Sequence, residues 1–99
     1  MKHFLLIYDY APDWMEKRGA VRPAHLELAR AAADRGELQL GGAVPRGDPA
    51  FGLLLFKSES PQAAEDFARA DPYVSAGVVA KWRVCEWITV VGEGALTQV

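Results

Sequence analysis

The chain has one cysteine and two histidines in 99 residues. Cys85 therefore has no partner for an internal disulfide, and no Cys/His spacing of a structural zinc site can be built. A bias of charge is missing too: 11 Lys and Arg stand against 13 Asp and Glu, for a formal net charge of −2. The basic residues are scattered among acids instead of forming the clustered footprint that a phosphate backbone requires, which argues against a nucleic-acid partner. The longest apolar run, "FGLLLF", is far short of the roughly 20 residues that cross a bilayer, so no membrane span is expected. The segment "KHFLLIY" is followed at once by Asp9 with no small-residue cleavage site, and reads as a strand, not a secretory signal. "GGAVPRG" follows a strand without a helix start behind it, which fails the context of a phosphate cradle. Together these absences point to a cytoplasmic protein that works without a metal or cofactor.

What is present is a soluble, globular composition, 51% hydrophobic and 24% charged, with no polar tract to read as disorder. A chain of this length makes a single domain over residues 1–99 with a modest core, and covering more surface against a second copy would stabilise it. Residues 3 to 9, "HFLLIYD", are rich in apolar and aromatic types and short enough to read as a first strand buried on both faces. From Trp14 the pattern turns helical, with Val21, His25, Leu28, Ala29 and Ala32 at spacings of three or four, and Gly36 as its stop. Pro23 is best tolerated in a first turn, so the main helix is expected to begin there, after a separate turn.

Residues 37 to 44, "ELQLGGAV", read as a second strand in which Gly41 and Gly42 mark a bulge or a close ligand approach. "PRGDPA" is a turn and "FGLLLFKS" a third strand. Ser60 as N-cap and Pro61 as first helical residue open a second helix through "SPQAAEDFARAD". "DPYVSAGVV" is a corner, "AKWRVCEWITVV" a last strand, and the tail beyond Gly92 is expected to be loose. The order is β-α-β-β-α-β, an α+β ferredoxin-like arrangement with both helices on one sheet face. The other face keeps apolar side chains, so two sheets are expected to pair in a homodimer that encloses an α+β barrel.

His25 stands out on a helix of alanine, leucine and charges. It is either an ordinary histidine with one satisfied hydrogen bond or a proton carrier, and the second role needs a carboxylate to fix its tautomer and orientation. Asp34 lies nine residues further along the helix, about 13 Å by helical rise, and cannot touch it. Asp9, at the end of the first strand, and Asp71, at the end of the second helix, remain as candidates; otherwise they are a strand-end polar residue and an Asx-Pro turn. Arg18 and Arg22 line the same side as His25 if the helix runs through Gly19, and would hold an anionic substrate or steady an enolate or phenolate; otherwise they are solvated charges. Tyr73 could add a hydroxyl. Trp82 and Trp87 fall on opposite faces of the last strand and read as core and interface. Cys85, mid-sheet with no base beside it, reads as a buried structural thiol.

The segments "MKHFLLIYDYAPD", "R…VRPAHL…G.L..GG" and "SPQAAEDFARADPYVSAGVV…W.V.EW" resemble the YciI-like, YCII-related proteins over essentially the whole chain. The specific part is the "DPYV" corner combined with the R-x-x-H step from Arg22 to His25. The resemblance implies a ferredoxin-like dimeric α+β barrel with a cleft centred on a histidine, matching His25, and an aspartate, matching Asp71 with Asp9 as the rival. It further implies cofactor-free acid-base chemistry of the lyase, dehydrochlorinase or isomerase type on a small cyclic or phenolic compound. One similar enzyme removes chloride from a chlorinated hydroxyhydroquinone, and the fold is similar to that of muconolactone isomerases. Two other readings stay open: a module that binds a small molecule without converting it, and a purely structural dimer.

Overall fold

Alternation along the first strand sets the architecture. In β1 (Lys2–Tyr10), Phe4, Leu6 and Tyr8 are buried while Leu5 and Ile7 between them are only partly covered, as expected of a strand with one face against helices. The computed structural model describes residues 1–99 and continues with α1 (Trp14–Asp34), β2 (Leu38–Val44), β3 (Phe51–Ser58), α2 (Gln62–Ala70), α3 (Pro72–Ser75) and β4 (Val79–Trp87). The sheet order is β2-β3-β1-β4, and every neighbouring pair is antiparallel. Two crossovers, β1-α1-β2 and β3-α2-α3-β4, lay the helices on one face. This is the expected ferredoxin-like α+β order, with α3 inserted at the corner.

The core lies between the helices and the inner sheet face, where Leu6, Phe56, Ala64 and Val78 are fully buried. Phe56 and Phe67 meet edge to face at 5.4 Å, which joins β3 to α2. The opposite sheet face presents Leu5, Ile7, Leu53, Leu55 and Trp87, the last 48% exposed. No helix is long and apolar enough to cross a membrane.

Five local expectations change. The first helix starts at Trp14, not Pro23, and carries the proline inside it. Two things make this tolerable. The carbonyl that the proline ring crowds, four residues back, belongs to Gly19, whose backbone can tilt away at low cost. The first turn is also anchored, with Trp14 stacked on Tyr10 at 4.7 Å and Arg18 lying over the Trp14 ring at 5.1 Å, so packing overrides propensity. The second helix begins one residue late, at Gln62, whose N–H donates to Ser60 Oγ at 3.3 Å.

The last strand ends at Trp87, because His3, its partner, is next to the last paired residue of β1 and nothing remains for residues 88–91 to join. The tail is not loose: it turns back on Thr89, whose carbonyl accepts from Thr97 N–H at 2.9 Å and whose hydroxyl accepts from Leu96 N–H at 3.0 Å. Cys85 is exposed, not buried. With Trp82 and Val84 turned to the core, the strand period of two puts Arg83, Cys85 and Trp87 on the uncovered face.

Candidate functional site

Asp71 is held where it is by the proline after it. A residue before proline is driven out of the α region, and Asp71 accordingly ends α2 in extended conformation, φ −76° and ψ 122°. The same carboxylate then caps the next helix, Oδ1 accepting the Tyr73 N–H at 3.0 Å. Asp71 is completely buried, which is tolerable for a carboxylate only if donors surround it. Three do: besides the Tyr73 N–H, the Tyr8 hydroxyl donates to Oδ2 at 2.7 Å, and His25 Nδ1 lies 2.9 Å from both oxygens.

His25 reaches Asp71 from α1, and its ring lies flat on Tyr73 with centroids 3.7 Å apart and planes 2° from parallel. The Phe67 edge closes another side at 6.5 Å. A carboxylate can only accept, so Nδ1 carries a hydrogen and Nε2 of the neutral ring holds the free lone pair. Nε2 makes no hydrogen bond inside the protein and is not a buried orphan. The imidazole is thus fixed in plane, tautomer and direction, with its basic nitrogen left open.

His25 lies on the wall of a cavity of about 300 Å³ between α1 and the inner sheet face. All three tyrosines of the chain, Tyr8, Tyr10 and Tyr73, line it, with Trp14, Arg18, Arg22 and Arg30. Burial raises every one of these phenols. Tyr8 is pushed far above its ordinary value, with the Asp71 charge and its hydrogen bond adding to burial. Tyr10 is pushed up to about 12 by burial and by Tyr73, with the Arg18 charge opposing. Tyr73 is raised by burial, while the Arg22 and Arg18 guanidinium groups pull the other way. The cavity is therefore walled by neutral phenols and positive guanidinium groups. None of Arg18, Arg22 and Arg30 has a carboxylate within ion-pair distance.

Of the residues singled out from sequence, His25, Asp71, Arg18, Arg22 and Tyr73 come together here. Asp9 does not. It alternates with Tyr8 and Tyr10, whose rings face the helices, so its carboxylate lies on the opposite sheet face beside Phe51 and Lys81. Sequence reasoning missed Tyr8, Tyr10, Trp14 and Arg30. Strand alternation could have put both tyrosines on the inner face. Gly52 also has a site role, since a Cβ there would come 2.6 Å from the Tyr10 hydroxyl and 3.1 Å from its ring; its bare backbone leaves room for Tyr10 to reach the cavity.

Comparison with known proteins bears on the family and the fold. The YCII-related domain family matches residues 1–88. Protein YciI of Escherichia coli O6:H1 is 43% identical, over 67% of this chain and 76% of that protein. An uncharacterized protein of Haemophilus influenzae is 31% identical, over 79% of this chain and 88% of its own length. Among solved structures, the 5-chloro-2-hydroxyhydroquinone dehydrochlorinase of Burkholderia phenoliruptrix AC1100, in complex with 2,5-dihydroxybenzoquinone, superposes with a TM-score of 0.71 at 23% identity. The match covers 88% of this chain and 94% of that one, and it supports the fold.

Proposed function

The chain belongs to the YCII-related domain family, and on that premise we propose that it is a cofactor-free enzyme of the lyase, dehydrochlorinase or isomerase type acting on a small cyclic or phenolic compound. The observation that carries the reading is His25 Nδ1 lying 2.9 Å from both oxygens of a fully buried Asp71, with His25 on the cavity wall and its Nε2 free of any hydrogen bond within the protein. A base aimed by a carboxylate, in a pocket with no competing nucleophile, is suited to moving a proton.

In this mechanism Nε2 is the catalytic base and Asp71 the positioning residue. Nε2 removes a proton from a hydroxyl or an acidic carbon of the ring, and Asp71 steadies the imidazolium that forms. The electron pair moves into the ring and is either returned to another carbon with the same proton, an isomerisation, or expels a leaving group such as chloride with its bonding pair, a net loss of HCl. Arg18 and Arg22 hold the negative charge that develops on the ring oxygen. The similar fold of a dehydrochlorinase solved with a dihydroxybenzoquinone supports an oxygenated ring as the substrate class. The protein is proposed to act in the cytoplasm as a homodimer paired through the apolar sheet face of Leu5, Leu53, Leu55 and Trp87.

A second reading, a module that binds such a compound without converting it, rests on the same cavity. One experiment separates them. A panel of hydroquinones, halogenated hydroxyquinols and unsaturated lactones is incubated in D2O, with NMR following ring deuteration and an electrode following chloride. His25→Gln should slow the reaction of any responsive compound by about 10²–10⁴-fold, the usual contribution of a general base. A rate equal to that of the wild type would remove His25 from the mechanism, and a compound bound but never exchanged would favour the binding module.

A further inference from the structure

The α1 wall of the cavity presents Arg18, Arg22, His25, Leu26, Ala29 and Arg30 in that order, so cations flank His25 on both sides. Arg22 is one helical turn before it. Arg30 is five residues beyond, about 7.5 Å along the axis at the usual rise. The intervening wall, Leu26 and Ala29, is apolar, and the sheet contributes Leu38, Gly41 and Leu54 to the same cavity. Arg18 and Arg22 lie on one side of His25 along the helix and Arg30 on the other, so a charge at the far end of a ligand seated against Leu26 and Ala29 falls to Arg30. It borders the cavity without a carboxylate partner. No acidic side chain lines the wall to neutralise it, and Asp71 is already engaged by three donors.

A cavity of about 300 Å³ is at the small end of ligand sites and suits one ring with a short substituent. We infer that the ligand is a monocyclic, hydroxyl-bearing compound with a fixed carboxylate set across the apolar stretch from His25, and that Arg30 is the specificity residue that reads this carboxylate. The planar guanidinium fork matches a carboxylate in two parallel hydrogen bonds, which an ammonium group cannot do. This inference rests on the proton-transfer reading only for the choice of which end of the ligand reacts.

The test is calorimetric titration of the full-length protein, at low ionic strength, with 4-hydroxyphenylacetate and its neutral isostere 4-hydroxyphenylacetamide. The carboxylate should bind about three- to fivefold tighter, fivefold being the upper range for a partly screened guanidinium pair. Arg30→Gln should reduce that advantage below about twofold while leaving the amide's affinity unchanged, and Arg30→Lys should restore only part of it. Equal affinities in the wild type, a preference that survives Arg30→Gln, or no binding of either probe at millimolar concentration would each overturn the inference. The deuterium-exchange assay reports separately on the proton-transfer reading. Exchange without a charge preference overturns only the Arg30 assignment, and a charge preference without exchange overturns only the reading.

Discussion

Replacing Asp71 by Asn keeps the volume of the side chain but removes its charge and turns one acceptor oxygen into an NH2 donor. In the native protein Oδ1 accepts from the Tyr73 N–H at 3.0 Å, Oδ2 accepts from the Tyr8 hydroxyl at 2.7 Å, and His25 Nδ1 is 2.9 Å from each. Asn has one oxygen to offer. Set at the capping position it keeps the Tyr73 bond, because Asn caps a helix as well as Asp, and its NH2 then faces Tyr8 and His25. The hydroxyl proton of Tyr8, a residue only 1% exposed, loses its acceptor at a cost of about 1–3 kcal/mol. Loss of charge assistance on the histidine bond adds about 1 kcal/mol more. A total of about 2–4 kcal/mol would lower the melting temperature of a domain this size by about 8 °C or more. The imidazole responds as well: Nδ1 now faces one oxygen and one NH2 in place of two oxygens, so the Nδ1–H tautomer loses its exclusive hold and a measurable share of the rings carries the proton on Nε2. Urea unfolding gives the stability, and long-range 1H–15N correlation on 15N-histidine-labelled protein gives the tautomer, with His3→Gln assigning the two rings. An Asn variant within about 0.5 kcal/mol of the wild type and still protonated only at Nδ1 would refute this account of the pair.

Tyr8→Phe removes one of the three donors to a buried carboxylate and should cost about 1–3 kcal/mol in urea unfolding, with the His25 tautomer retained; a change too small to measure would mean that the 2.7 Å bond contributes nothing. Tyr10, raised from 10.0 to about 12, is favoured by folding in its neutral form. Its contribution is complete below pH 10 and is lost as the pH rises toward 12, so stability from denaturant titrations should fall over that window, and a flat profile would contradict the burial assigned to the phenol. Gly52→Ala should displace Tyr10 from the cavity and cost about 1–3 kcal/mol through overpacking, read as a change in Trp14 fluorescence together with lowered stability. Leu55→Lys with Trp87→Glu on the uncovered sheet face should convert the proposed dimer to monomer in sedimentation equilibrium, and an unchanged mass would place the interface elsewhere.

The elements were legible wherever local pattern and tertiary demand agree. The apolar run from Phe4 to Tyr8, the Ser60–Pro61 start and the Asp71–Pro72 corner each specify their element within a few residues, although the run does not show which of its faces the helices cover. The misreadings came from longer range. Pro23 inside α1 is tolerated because Trp14 stacks on Tyr10 across the β1–α1 turn, a contact that helix propensity does not encode. Cys85 and the chain beyond Gly92 were misread because their surroundings depend on which sheet face stays uncovered and on where β1 runs out of partners. The choice between Asp9 and Asp71 was open in the sequence, although fixing Tyr8 and Tyr10 on the inner face would have turned Asp9 away. The Tyr8–Asp71 bond spans 63 residues, and no pattern along the chain points to it. Arg30 carries no local signal that sets it apart from the other scattered basic residues, and only the fold puts a cavity beside it.

Asp71 terminates one helix, caps the next and orients His25 with the same two oxygens. Loss of chemistry and loss of architecture are therefore unequal events for the two halves of the pair. A descendant that gave up proton transfer could replace His25 by another residue able to donate to the carboxylate, yet would remain tied to the aspartate by the corner it holds in place. An aspartate at this corner is accordingly a record of the fold, and the histidine beside it is the better sign of a working site.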